Sequence, residues 1–176
     1  MSERNIRNAH VKCLLDDAAQ YKANHNNYEK IRIPIPKEAE WKDITSEWLW
    51  VEKVADEIYA LRNIPIYAYG LSFDDRFHLK NCEGILEIDD LVERGGHSTY
   101  RIIAFEDITN DSVKQLLEKL VDLGCDTEAA NRLHVAIDVP PETDAKVVFG
   151  LLQIAEESGT LSFEEGHCGH NLSPPG

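Results

Sequence analysis

The 176-residue sequence has no run approaching the roughly 18 apolar residues that a membrane-spanning helix needs. Its opening stretch, MSERNIRNAHVKCLLDDAAQYK, is broken by charge every few positions and holds no apolar signal core, which argues against export by that route. Cysteine is sparse as well. Cys13, Cys82, Cys125 and Cys168 stand far apart with no CxxC pair, so a disulfide scaffold is excluded and reduced thiols in the cytoplasm are expected. GxGxxG, P-loop and nucleophile-elbow patterns are all missing, and with them the commonest nucleotide and hydrolase signatures. There is no internal repeat and no low-complexity tract.

Positive charge is in short supply: 18 Lys and Arg face 32 Asp and Glu, for a net charge of −14. Residues 1–40 hold seven basic and six acidic groups, so the remaining 136 residues carry 11 and 26, a balance of −15. A field of that sign repels phosphate backbones and anionic lipid and speeds encounter with a basic protein. Direct nucleic-acid and membrane binding are therefore not expected. The plainest alternative is an acidic surface that keeps the chain soluble and does nothing more.

The apolar content, 43%, suffices for one ordinary domain with its own core. Ile6, Ala9, Cys13, Leu14, Ala18 and Tyr21 recur at helical spacing, and predict a helical N-terminal extension over residues 1–27. Residues 28–170 form the expected domain, β-rich over 28–96, with residues 171–176 as a flexible tail. Strands are predicted at Tyr28 to Ile35, Trp48 to Val54, Glu57 to Leu61, Arg76 to Lys80 and Gly84 to Asp89. Pro34 and Pro36 confine the first of these to an edge or a strand end. The aromatic NIPIYAYGLSF segment breaks the alternation and is expected to cross the core.

From residue 97 the pattern becomes strand, helix, strand, helix, strand. A helix capped by Thr109 or Asn110 presents Val113, Leu116, Leu117, Leu120 and Val121 and stops at Gly124. A second starts near Thr143, buries Val147, Val148, Leu151, Leu152 and Ala155, and stops at Gly159. Both are expected on one face of a ferredoxin-like sheet over 97–170. The fold class is α+β: a small antiparallel meander or barrel-like sheet joined to a helix-backed sheet.

Three segments carry a more specific signal: SEWLWVEKVADEIYALRNIPIYAYGLSFDD at 46–75, VERGGHSTYRI at 92–102 and EEGHCGH at 164–170. Their order and wording resemble the bacterial family called domain of unknown function 4265, over about residues 28–170 and through LEKLVDLGCDTE and HVAIDVPPETD. The resemblance implies a shared fold and a shared site without naming a reaction. One departure is visible. Phe73-Asp74-Asp75 stands where a small glycine-containing turn is expected after AYGLS.

The candidate residues divide into an acidic set and a histidine set. Asp74, Asp75, Glu87, Asp89, Asp90 and Glu93 are solvated acids that could contact a basic partner. His97 could act as a general base, with Ser98 or Thr99 as nucleophile and Arg94 or Arg101 holding an anion. The same GGHST stretch reads equally as a hairpin or bulge in which His97 satisfies the backbone. His167, Cys168 and His170 offer zinc ligands but are too close together to complete a tetrahedral site, and would need Cys82, Cys125 or His97 as well. No cofactor is expected, with zinc the minor alternative. Trp48, Trp50, Tyr59, Tyr67, Tyr69 and Phe73 read as core or as the lining of a pocket. Glu164 and Glu165, as strand neighbours, must point to opposite faces, so only one can approach His167.

Two functions follow. The first is a small cytoplasmic protein-binding protein, monomer or homodimer, of the immunity or inhibitor kind, that neutralises a basic nuclease-like toxin. The second is a small hydrolase or metal-dependent enzyme using His97 with His167, Cys168 and His170.

Overall fold

The computed structural model describes residues 27–37 and 44–170. The expected N-terminal helix and the tail lie outside the described residues. The fold is α+β, a closed five-stranded barrel followed by a four-stranded sheet backed by two helices.

The barrel strands are β1 (Tyr28–Pro34), β2 (Ser46–Ala55), β3 (Ile58–Leu61), β4 (Arg76–Cys82) and β5 (Ile85–Glu93). Consecutive strands pair antiparallel, and β1 closes the ring against β5 in parallel through Ile31 and Leu86. Inward positions supply the core: Ile31, Leu49, Val51, Leu61 and Phe77 are buried, with Ile33, Leu79 and Ile88 packed around them. Pro34 ends β1, as its missing N–H requires. The β4–β5 hairpin turns on Glu83 and Gly84, both at positive φ, the geometry that keeps a two-residue loop in step with strand twist.

The β5 strand runs four residues beyond its expected end at Asp89. Its register against β4 slips twice, leaving Asp89 and Val92 without partners opposite them. Such bulges bend a strand enough to close a narrow barrel, and they erase the alternation by which a strand is read from sequence.

The second sheet contains β6 (Ser98–Ala104), β7 (Asp126–Ala129), β8 (His134–Val139) and β9 (Leu161–His167) in the order β7-β8-β6-β9, every pair antiparallel. Helices α1 (Asp111–Asp122) and α2 (Ala145–Glu157) share one core with it. Tyr100 and Ile102 from β6 and Val135, Ile137 and Val139 from β8 meet Val113, Leu116 and Leu120 from α1 and Val148 and Leu152 from α2. Asn110 caps α1 by accepting the Ser112 N–H, and Asp144 caps α2 in the same way through Lys146. Gly124 and Gly159 leave the helices at positive φ.

Three expectations are corrected. Val121 and Val147 are exposed, and each lies outside its helix's buried stripe. The short strand β7 was not expected, because DTEA has no apolar alternation and becomes a strand only by pairing with β8. The second helix begins at Ala145, two residues after Thr143, with Asp144 as its cap.

The 63–73 segment, expected to cross the core, instead packs mainly as a small cluster of its own against the second sheet. Ile64 and Ile66 pack on Ala136 of β8, on the face of the sheet away from the helices. Glu47 of β2, itself buried, accepts the N–H groups of Ile66, Tyr67 and Ala68. One barrel side chain thus satisfies a strip of backbone that has no strand partner.

Leu120→Ala and Leu152→Ala, both at fully buried positions, should each cost about 2 to 5 kcal/mol. Leu117→Ala and Leu151→Ala, at partly buried positions on the same helices, should cost less. Denaturant midpoints for the four variants check the order.

Candidate functional site

The segments 70–75, 94–99 and 164–170 meet at the junction of barrel and sheet. Gly70 N–H donates to the Gly166 carbonyl at 2.9 Å, joining the first to the third. Arg94 donates to the Gly70 carbonyl at 2.6 Å and to Asp75 at 2.8 Å, and Gly95 N–H to Asp75 at 3.0 Å, joining the first to the second. The hydroxyls of Ser72 and Thr99 are 2.8 Å apart, both fully buried. The N–H groups of Gly169 and His170 donate to Ser98 Oγ, joining the second to the third.

Close backbone approach sets the glycines. A Cβ on Gly95 would lie 2.7 Å from the Phe73 carbonyl oxygen, and one on Gly169 would overlap the carbonyl of His97. At Gly166 a Cβ would crowd the buried Arg101 guanidinium at 2.8 Å. Asp74 adopts φ +60, a left-handed conformation in which Asp is among the few tolerated non-glycine residues. The turn therefore has the backbone that favours glycine, with Arg62 and Arg76 holding the Asp74 carboxylate.

Arg101 is enclosed. It donates to Glu164 at 2.9 Å and to the Ala68 carbonyl, and its guanidinium lies 4.1 Å from the Tyr69 ring centre. Glu165 points the other way and accepts the Tyr100 hydroxyl at 3.3 Å. The two glutamates do take opposite faces, and neither is hydrogen-bonded to His167. That imidazole is held below its ordinary value by burial and by Arg94, with Asp75 and Glu165 acting against them.

The histidine set separates. His170 Nε2 lies 3.0 Å from the Pro140 carbonyl. That nitrogen must donate, so Nδ1 accepts from Ser98 Oγ at 2.6 Å. Both ring nitrogens are used, and Ser98 is fully buried. Ser98, Thr99 and Arg101 are thus corrected from nucleophile and anion-holding roles to enclosed hydrogen-bonding ones, and Arg94 is committed to Asp75. Among the described residues no three His, Cys, Asp or Glu side chains gather in a way that could hold a metal ion. Burial pushes the Cys125 thiol up to about 12, far from the thiolate that zinc binds.

His97 stands differently. Its Nδ1 lies 2.9 Å from both carboxylate oxygens of Asp138 on β8, its ring is tilted against Phe73 at 5.4 Å, and no partner for Nε2 occurs among the described residues. Burial works against the imidazolium. The hydrogen bond and charge of Asp138, helped by Asp74 and Glu142, outweigh it and raise the His97 pKa. Asp138 was not singled out in the sequence, although a carboxylate inside the buried run HVAIDV is the signal that finds it.

The acidic set also divides. Asp75 is buried and accepts from Ser72, Gly95 and Arg94, which corrects its reading as a solvated contact residue. Asp74 is paired with Arg62, and Glu87 with Arg32. Asp89, Asp90 and Glu93 are exposed on β5. The aromatic set forms no single lining: Trp48 and Tyr69 are exposed, Trp50 is buried, Tyr59 packs on the barrel core and Tyr67 on the back of the sheet.

The family described as Domain of unknown function (DUF4265) matches residues 47–163, a span that contains all but the last of the meeting segments. The chain belongs to the DUF4265 family. Curated proteins include no match to it. Among solved structures, one described as a novel crystal structure of a hypothetical protein from Neisseria gonorrhoeae is similar to this DUF4265 chain in fold. It has a TM-score of 0.68 and 20% identity, over 81% of this chain and 98% of that one.

Two outcomes test this geometry. Gly169→Ala should destabilise the protein, whereas Gly150→Ala, in the middle of α2 with nothing within 4 Å of the added carbon, should stabilise it by up to about 1 kcal/mol; thermal unfolding of both decides. The His97–Asp138 pair should stabilise fully below about pH 6.5, the ordinary imidazole value, and fade as pH rises through the raised folded value. The stability gap between parent and His97→Gln should shrink accordingly, and a gap independent of pH would contradict the pairing.

Proposed function

We propose that this DUF4265 protein is a small acidic protein-binding protein of the cytoplasm, of the immunity or inhibitor kind, that captures a basic partner such as a nuclease-like toxin. The observation that carries the reading is the outer half of β5. Asp89, Asp90, Leu91, Val92 and Glu93 are exposed in succession, with Leu91 and Val92 each about two-fifths accessible. An apolar centre rimmed by charge is the usual composition of a protein interface.

The acids of this strip have weak internal partners. Asp89 lies 3.5 Å from Lys80, Asp90 3.1 Å from His78 and Glu93 2.7 Å from Arg76, all at exposed positions. Such pairs contribute little to stability and exchange readily for cations on a partner. Asp74, Asp75 and Glu87 leave the proposed surface, being enclosed or tightly paired. Capture of a protein, and not of nucleic acid or membrane, is supported by the charge of −14. No helix among the described residues is long and apolar enough to cross a membrane.

We also read the β6–β9 unit as ferredoxin-like. The order β7-β8-β6-β9 with both helices in one core supports it.

A toxin domain encoded beside the gene for this chain is the partner to test. Its association rate should fall steeply from low salt to about 0.15 M, where the screening length is about 8 Å. Reversing Asp89, Asp90 and Glu93 to Lys should slow association more than it speeds dissociation, and His97→Gln should leave affinity intact. Stopped-flow association insensitive to both salt and the triple reversal would exclude this surface.

A further inference from the structure

Three carboxylates are buried where barrel meets sheet, and they are served unequally. Glu47 accepts three backbone N–H groups. Asp75 accepts two backbone N–H groups and Arg94. Asp138, only 3% accessible, has one side-chain partner among the described residues, the His97 imidazole. A carboxylate taken out of water for structural reasons needs several donors to offset its desolvation. Asp138 lacks them. Across the sheet it faces Asp126, a second acid.

That arrangement suits a positioned imidazole. The carboxylate orients Nδ1–H and fixes the tautomer, which leaves Nε2 as the basic nitrogen, and the His97 side chain retains 15% accessibility. We propose that His97 and Asp138 form a general acid–base pair working at Nε2 on a neutral or cationic substrate. This goes beyond the binding reading and does not depend on it. His97 is the catalytic residue and Asp138 the positioning residue.

The surroundings set the substrate class. The charged groups acting on the pair are Asp74 from the 72–75 turn, Glu142 after β8 and Asp126 from β7, all acids. The nearby arginines are committed, Arg62 to Glu52 and Asp74, Arg94 to Asp75. Among the described residues each of these arginines already holds a carboxylate, which disfavours a phosphate or carboxylate on the substrate. Ser98 and Thr99, next along the chain, are fully buried and bonded, so the atom His97 activates comes from water or from the substrate itself.

For an ester the step balances as follows. Nε2 takes a proton from water while the water oxygen bonds to the acyl carbon; the bond to the leaving oxygen breaks, and the imidazolium returns the proton to that oxygen. Ester and water become acid and alcohol, with no oxidant or metal required.

The test uses the full chain with 4-nitrophenyl acetate as a neutral probe and 4-nitrophenyl glutarate as an anionic one. Hydrolysis of the acetate should exceed buffer, fall at least tenfold in His97→Gln and remain unchanged in His78→Gln, which removes an exposed barrel histidine. The glutarate should be the poorer substrate. The rate should follow the neutral imidazole with a midpoint above 6.5, and Asp138→Asn should move that midpoint down, which loss of a merely structural contact would not do. If His97→Gln fails to fold, carbethoxylation of the parent by diethyl pyrocarbonate replaces it. Modification of His97 ahead of His170, with the same midpoint, supports the pair. Equal hydrolysis by parent and folded His97→Gln, or an unreactive His97, overturns it.

Discussion

The carboxylate of Asp75 closes the open end of the β4–β5 hairpin. It sits one residue before β4 and binds Arg94 and Gly95 just after β5, where the chain leaves the barrel for the second sheet. Its own backbone carbonyl accepts from Leu61 of β3, and Asp74 N–H donates back to the Leu61 carbonyl. Three donors converge on one buried acid, so removing the acid would strand all three, the costlier side of hydrogen-bond energetics. The path of Gly95-Gly96-His97 follows from this clamp, and with it the seat of the imidazole against Asp138. Barrel, linker and candidate site therefore share one electrostatic anchor.

Much of the fold is legible because its signals are local. The stripes Val113-Leu116-Leu120 and Val148-Leu152 specify helices against a sheet, and Gly124 and Gly159 mark their ends. The barrel half is readable as short strands because Ile31 and Ile33, then Leu49 and Val51, alternate. What escapes is set by strand pairing and not by the segment's own pattern. The residues of β7 become a strand only beside β8, and the last four residues of β5 only because bulges at Asp89 and Val92 carry a polar stretch around the barrel. Neither segment carries an alternation of its own that announces its partner strand.

The site is legible in part for the same reason. The segments around Ser72, His97 and His170 stand out as motifs, but their convergence depends on contacts such as Gly70 to Gly166, which periodicity does not contain. Residue type also misleads about role. The Ser98–His170 pair has the atoms of a nucleophilic dyad, yet Pro140 holds the far nitrogen and burial seals the hydroxyl. His97, a lone imidazole beside two glycines, is oriented by a carboxylate at Nδ1 while its outer nitrogen has no partner among the described residues. The acid that orients it lies 41 residues away in sequence.

Net charge misleads in a related way. A count of −14 suggests a uniform acidic field, but the acids do three kinds of work. Glu47 and Asp75 are internal acceptors for backbone that no strand satisfies, and their charge is spent inside the protein. Asp74 and Glu87 neutralise arginines at the barrel wall. Asp89, Asp90 and Glu93 keep theirs at the surface, where water screens the pairing. These three acids flank Leu91 and Val92, so on the proposed binding reading charge and apolar contact lie on one strand. His97 draws on a different group of acids, Asp138, Asp74 and Glu142, which act on its protonation instead of on diffusing partners. Arg76 stands between the two groups, 2.7 Å from Glu93 and 3.6 Å from Asp74, and so pairs with one acid of each.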